Sequence, residues 1–456
     1  QEYDIELFAE TVANVHLAPA REDVISRFLK NETEESGDSS AEESDVSAPA
    51  SGTAVVLPKN RDWAASAASI VCNGPFRVQA MEEDRSLTLE RNSYYMREDD
   101  QALDKYVLPY RLTCLFYEDM VDAYGTGRTQ LDVQTERYNN GQLFYLSGFT
   151  KDTYASFQKQ LTMARTLNGY AYYFNTKNEL LSNQKVRQAL SAALDRNKIV
   201  TEITGTGETA ATGYVPAGVF DTGKGTDFRT VGGNLYNTAA DVDQARSLLS
   251  GANSGGTTLR LIYLIPQSET LTKEFGRTVS YPNVYEELAK YAKSAWESLG
   301  FKIELQGLHY DKFLRALYDR DYDIMGLNIV TDSTDAFGYL APFATKYSGS
   351  VVDVETEEEP YTPHYTNFEN AQYDALADEV CYMKDRAARA QKLHEMEQAL
   401  VEQCPATMVY WYNNSYVASD QISNVKTESY FGFRMLNDLK LKNWREVNAS
   451  EAAAAK

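Results

Sequence analysis

SNQKVRQALSAALDRNKIV, Ser182 to Val200, reads as a capped helix. Val186, Leu190, Ala193 and Leu194 fall at i, i+4, i+7 and i+8, one face of a 3.6-residue period. Ser182 or Asn183 can cap the start, because a short side-chain oxygen accepts from the free amides of the first turn. Arg187, Ser191 and Asp195 fall on the other face. An amphipathic helix packed on a core follows. It does not explain why Val-Arg-Gln-Ala-Leu and Leu-Asp-Arg stand together directly after GYAYYFNTKNELL.

Outward from that helix the chain alternates strand and helix. LRLIYLI, Leu259 to Ile265, is a short apolar strand. Asn283 opens NVYE, a cap followed three residues later by Glu286. Val284, Leu288, Tyr291, Ala292, Ala295, Trp296 and Leu299 run at helical spacing until Gly300 stops them. FKIELQ is the next strand, YDKFLRALYDR a helix, and YDIMGLNIV a buried strand. A β-α-β-α-β order implies parallel strands with helices on their faces, and such sheets bind ligands at the carboxyl ends of the strands. Two further helical patterns, Tyr373 to Met383 and Arg386 to Gln403, precede a strand in MVYWYNNSYV.

The 456 residues suggest about three domains, or two large ones. The chain is 43% hydrophobic and 24% charged, enough apolar content for a sizeable core. Its net charge of −22 argues against nucleic acid, whose phosphates need a cationic groove, and against anionic membranes. No run of about eighteen apolar residues is present. The chain starts at Gln1 without a basic-then-apolar leader and is expected to be a processed or trimmed product. Asn31 to Gly52 is acidic, Ser-rich and aperiodic, which fits a solvated loop. The closing EAAAAK reads as a helical linker unit or a natural tail.

Chemistry-bearing motifs are sparse. Cys72, Cys114, Cys381 and Cys404 have no metal-ligand spacing and are expected to be mostly free, buried thiols. GVFDTGKG, Gly218 to Gly225, lacks the Ser/Thr after Lys224 that a phosphate loop needs. Ser182 and Lys185 match SxxK at a helix start, where both have structural roles. His16, His309, His364 and His394 do not cluster, so no metal or other cofactor is expected. No nucleophile–base pair emerges, and an enzyme is not expected. The 32 Tyr, 18 Phe and 4 Trp concentrate in GYAYYFN and VYWYNN. Most should be core, yet Tyr and Trp also suit walls around small ligands.

Five segments in order then carry a resemblance. IVCNGPF (Ile70 to Phe76) with LTLERNSYY, YYFNTKNELLSNQKVRQALSAALDRNKIV (Tyr172 to Val200) with Gly205 and Gly207, YVPAG, YDIMGLNIVTDSTDAFGYL and MVYWYNNSYV together resemble the family 5 extracellular solute-binding proteins. These are the peptide- and oligopeptide-binding subunits of ABC importers. The resemblance covers about Asn60 to Leu441. It implies an α/β, two-lobe periplasmic-binding-protein-like type II fold with mixed sheets. Tyr170 to Asn175 would be the first crossing between lobes, Val186 to Val200 the first helix of the mobile lobe, and Val409 to Tyr412 the return. On this basis residues 57–169 and 413–447 form lobe one, 170–412 lobe two, 1–56 a remnant of an extra domain with an acidic loop, and 448–456 a tail. Less sequence precedes NGPF than in the family, so lobe one is expected to be incomplete.

The resemblance also implies a function: capture of a small peptide outside the cytoplasm and delivery to ABC transporter permease subunits. The protein would be a monomer, anchored if at all through a lipid that this chain lacks, on a Gram-positive surface or in a periplasm. Its ligand-binding positions would be Asp332, Asn328, Val330, Tyr412, Tyr170 and Ser147. The family's Gly-Trp-x-x-Asp motif falls on Asn328, Ile329, Val330, Thr331 and Asp332. The aspartate that pairs with the peptide amine is kept, and the aromatic is replaced by Ile329. Leu317 and Gly326 stand where some members carry basic residues for the peptide carboxylate. The same fold with another solute (an oligosaccharide, opine or metal chelate), or a surface scaffold that binds nothing, are the competing expectations. Strand alternation puts Tyr170, Tyr172 and Phe174 on one face of the first crossing and Ala171 with Tyr173 on the other. Likewise Tyr410 and Tyr412 face away from Trp411, which should be structural.

Overall fold

The computed structural model describes residues 130–223, 225–251, 258–265, 284–331, 333–348, 365–425 and 436–442, with shorter stretches at 67, 70, 72, 74–82, 86–95 and 107–115. They fall into two compact units.

The smaller unit holds an antiparallel sheet of β1 (Phe76–Glu82), β2 (Ser86–Arg91) and β3 (Arg111–Leu115). Glu90 on the central strand lies 2.6 Å from Arg77 and 3.3 Å from Arg111, and the hydrogen bond from Arg77 is the main cause holding its carboxyl below the usual range. A short antiparallel pair, Ile422–Ser423 with Lys440–Leu441, belongs to the same unit.

The larger unit takes in Gln134 to Ser419, so it includes 134–169 and 413–419, which the sequence reading assigned to lobe one. Its strands are β4 (Tyr145–Ser147), β5 (Arg165–Phe174), β6 (Thr209–Ala210), β7 (Thr258–Ile265), β8 (Lys302–His309), β9 (Ile324–Ile329), β10 (Ala406–Asn413) and β11 (Tyr416–Ala418). Six form one mixed sheet in the order β6-β10-β5-β9-β7-β8, while β4 pairs with β11 in a separate sheet among the described residues. β7 runs parallel to both β8 and β9, as the alternating strand–helix pattern requires. β5 and β10 run antiparallel to each other, and β5 is antiparallel to β9.

Period-two alternation sorts the side chains of this sheet onto two cores. Tyr170, Tyr172 and Phe174 face one, with Leu261, Trp296 and Tyr410; Ala171 and Tyr173 face the other, with Tyr214, Phe313, Tyr339 and Trp411. The first core is roofed by α1 (Gln184–Ala192) and α2 (Val284–Glu297), and α2 ends before Gly300, whose φ of +96° suits a residue without Cβ. α3 (Tyr310–Asp319) packs on the second core, together with buried residues of α4 (Ala371–Cys381) and α5 (Arg386–Gln403).

α1 begins as expected, with the Asn183 side chain accepting from the Lys185 amide. Its expected run to Val200 is broken. Ala193 closes α1, Asp195 caps a new turn at Arg196–Lys198, and Ile199–Thr204 continues as a π-helix that ends on left-handed Gly205. The other face is not solvated either: Arg187 and Ser191 are buried.

The reason is a pair of arginine clamps. Arg187 Nε donates to the Cys404 carbonyl at 3.0 Å, its Nη2 to the Gln403 carbonyl, and its Nη1 to the Leu181 and Ser182 carbonyls. Gln184 and Gln188 both donate to Glu402. The bonds to Glu402, Gln403 and Cys404 satisfy carbonyls left unpaired at the end of α5, where the helix dipole also favours a cation. Fully buried Arg196 reaches the next stretch, donating to the Met408 carbonyl at 2.8 Å and to Thr407 Oγ1 at 2.7 Å. Valine-Arg-Gln and Leu-Asp-Arg therefore stand together because one secures the end of α5 and the other the start of β10.

All four cysteines are free, but only Cys404 is buried; Cys72 and Cys114 are half-buried and Cys381 is exposed. The expectation of mostly buried thiols is corrected accordingly. α4 ends at Cys381 with its side chain turned outward, so helical position alone did not settle burial.

Candidate functional site

Asn328 lies near the carboxyl end of β9. Ladder pairing sets it opposite Tyr170 on β5, and Tyr170 opposite Tyr410 on β10. A row across three adjacent strands thus brings together residues far apart in the chain. Tyr412 Oη donates to Asn328 Oδ1 at 2.7 Å, and Tyr410 Oη donates to Tyr412 Oη at 3.3 Å. Asn328 Nδ2 donates to Tyr285 Oη at 3.2 Å, from the first turn of α2.

The rings beneath form a stack. Tyr170 sits between Tyr285 and Tyr410, with centroids 5.5 and 5.7 Å away and planes within 14° and 12°. Tyr412 meets Tyr410 edge-on at 5.1 Å. Burial raises the Tyr170, Tyr410 and Tyr412 phenols well above their ordinary pKa, so these groups are neutral donors and acceptors.

Exposure divides the cluster. Tyr170 and Tyr410 are fully buried, whereas Asn328, Tyr285 and Tyr412 are half-buried. Tyr170 therefore supports the layer that a ligand could touch and is not itself at its surface. Val330, just past the strand, is 65% exposed. The Thr331 amide donates to Asn168 Oδ1 at 3.4 Å, fastening the segment after β9 to β5. Asp332 lies outside the described residues. Ser147 is on β4, opposite Tyr416 in the separate two-stranded sheet, and is not part of the tyrosine array.

Two glycines make the aromatic packing fit. A Cβ at Gly326 would lie 2.0 Å from Tyr170 Oη, and one at Gly169 would lie 2.6 Å from the Trp411 ring. Trp411 is 6% exposed on the opposite face, edge-on to Tyr339. The sequence reading did not single out Tyr285. Its signal was available, the aromatic within NVYE in the first turn of the helix, but nothing in the chain pairs that turn with Asn328.

A groove of about 630 Å³ lies elsewhere, lined by Thr258, Lys290, Lys293 and Lys302. It sits at the amino ends of β7 and β8, opposite to where parallel sheets place ligands. Lys290 and Lys293 are paired with Glu286, Glu287 and Glu297, which leaves little charge for a ligand.

The array stands in a recognisable frame. The profile of the bacterial extracellular solute-binding proteins, family 5 Middle, matches residues 38–350, more than half of the chain. The chain belongs to that family.

Among family 5 relatives, the chain is similar to the dipeptide-binding protein DppE of Bacillus subtilis, 23% identical over 368 residues that cover 80% of this chain and 60% of DppE. It is also similar to the Bacillus subtilis oligopeptide-binding protein OppA, 24% identical over 379 residues, covering 81% of this chain and 61% of the relative. The chain thus spans about three fifths of the length of these relatives. Among solved structures, the Escherichia coli murein tripeptide binding protein MppA aligns with a TM-score of 0.59 at 20% identity, over 84% of this chain and 66% of that one. Burkholderia pseudomallei OppA aligns with a TM-score of 0.64 at 18% identity, over 95% and 71%. The fold is that of the α/β periplasmic-binding-protein type II class. Family 5 proteins are solute-binding proteins rather than enzymes.

Proposed function

We propose that this chain captures peptides outside the cytoplasm and passes them to the permease subunits of an ABC importer. The observation that carries the reading is the half-buried Tyr412–Asn328–Tyr285 array at the carboxyl end of β9, in a family 5 fold. The names of the relatives, dipeptide- and oligopeptide-binding, supply the substrate class.

An extended peptide carries alternating N–H and C=O groups. Neutral phenols and an amide whose rotamer is already fixed can pair with them without an ordering cost. Asp332, past the end of β9, is assigned to the peptide α-amino group, because a buried ammonium without a carboxylate costs several kcal/mol. Val330 flanks the ligand, Ser147 approaches it from lobe one, and Tyr170 acts through the ring stack. Lobe one is taken as 57–169 with 413–447 and lobe two as 170–412, closing on the ligand. The protein acts as a monomer at an extracytoplasmic surface, held there by a lipid anchor or free in a periplasm.

A second solute class is favoured by one observation. Ile329, at the family's aromatic position, is buried on the face opposite Asn328 and offers no ring to a peptide side chain. An oligosaccharide would instead stack on Tyr412 or Tyr285. A thermal-shift screen with pools of short peptides and of oligosaccharides separates the two, since a ligand bound by the native state raises the melting temperature. Shifts with peptide pools alone support the proposal. Shifts with oligosaccharides alone overturn it.

A further inference from the structure

Met163 lies two residues before β5, on the surface of the larger unit, and is 52% exposed. Three donors converge on its sulfur. Tyr154 Oη, Ser415 Oγ and Asn413 Nδ2 each lie 3.3 Å from Sδ. The two Asn413 Nδ2 hydrogens are shared among Sδ, Ser415 Oγ at 2.8 Å and the Gly207 carbonyl at 3.2 Å, so the amide's bond to sulfur is a divided one. Ser415 is 4% exposed, so its hydroxyl is fixed in place. Gly207 packs closely against this group: a Cβ there would lie 2.6 Å from Tyr154 Oη and 2.8 Å from Met163 Cε.

This donor set does not match its acceptor. A thioether sulfur is a weak acceptor, and two hydroxyls and an amide exceed what it can use. A sulfoxide oxygen is a strong acceptor and would use them.

We propose that Met163 is a modification site, at which a peroxide converts the thioether to a sulfoxide held by Tyr154, Ser415 and Asn413. A sulfur lone pair attacks one peroxide oxygen, the S–O bond forms and the O–O bond breaks. The proton on the transferred oxygen passes to the departing hydroxide, which leaves as water. Sulfur loses two electrons and the peroxide gains them. The half-exposed side chain can back toward solvent to admit the new oxygen.

The donors affect the rate in two opposed ways. Bonding to sulfur withdraws its lone pairs, which slows attack. Bonding to the departing hydroxide stabilises developing negative charge, which speeds it. Charge-assisted hydrogen bonds are about twice as strong as neutral ones, and those to a thioether are weaker still, so acceleration wins. Met81 on β1 is the internal control: it is 43% exposed, and none of the described residues donates to its sulfur.

The test is hydrogen peroxide titration of the full chain, read by peptide mass spectrometry at each of its nine methionines. Met163 should gain one oxygen about fivefold faster than Met81. In the Y154F/S415A variant that lead should vanish while Met81 keeps its rate. If the double variant does not fold, Y154F alone should still shrink the lead. Equal rates at Met163 and Met81 in the unaltered chain overturn the proposal, as does a folded variant in which Met163 stays ahead.

Discussion

Tyr412 donates to Asn328 Oδ1 across 2.7 Å, joining β10 to the end of β9 over β5, which lies between them. The two residues are 84 positions apart. Their hydrogen bond fixes the amide so that its Nδ2 points to Tyr285 and Oδ1 to Tyr412.

Tyr412→Phe keeps the ring contact with Tyr410 and removes that donor. Because Tyr412 is half-buried, stability should fall by only about 1 kcal/mol, the net value of one hydrogen bond. Affinity for the peptide giving the largest thermal shift should drop, as read by calorimetry. Unchanged affinity would separate the array from ligand binding.

Tyr170 is the test of stacking against hydrogen bonding. Its hydroxyl is buried without a hydrogen-bond partner among the described residues. Tyr170→Phe should therefore stabilise the chain by about 1 kcal/mol or leave it unchanged, since an unpaired buried polar group is costly. Gly326→Ala should destabilise strongly, because its Cβ would meet that hydroxyl at 2.0 Å. The double variant should recover much of the loss in a denaturant titration. Simple additivity would show that the clash lies elsewhere.

Trp411→Ala removes a ring that is 6% exposed and packed on Tyr339. It should cost about 3–5 kcal/mol in stability. A variant that melts normally but no longer binds would place Trp411 in the ligand site and reverse the facing of β10.

Arg187→Met leaves the carbonyls of Gln403 and Cys404 without their guanidinium donor. The loss should be about 3 kcal/mol or more, from several buried acceptors left unpaired at once. Hydrogen exchange should quicken first at the end of α5. Wild-type exchange there would mean that Gln184 and Gln188 suffice.

Asp332→Asn should weaken binding of peptides with a free amino terminus by about 1–3 kcal/mol, one charge-assisted hydrogen bond. Peptides with an acetylated terminus should bind the variant and the unaltered chain alike. If both peptide forms weaken equally, Asp332 does not pair with the amine.

What the sequence determined by itself was local and periodic. Alternation alone separates Tyr170, Tyr172 and Phe174 from Ala171 and Tyr173, because a strand turns successive side chains to opposite faces whatever it packs against. A cap at Ser182 or Asn183 and the stop at Gly300 follow from backbone groups within a few residues, and the structure selects Asn183. The parallel strands β7, β8 and β9 follow from helices that can only return the chain in one direction. Tertiary structure decided the rest. Arg187 and Arg196 sit where a solvated face would be, and only contact with Cys404 and Met408, more than 200 residues on, accounts for their burial. Tyr285 is an ordinary first-turn aromatic until β9 brings Asn328 beside it. A polar side chain takes its role from the partner that satisfies it, and distant partners are chosen by the fold as a whole.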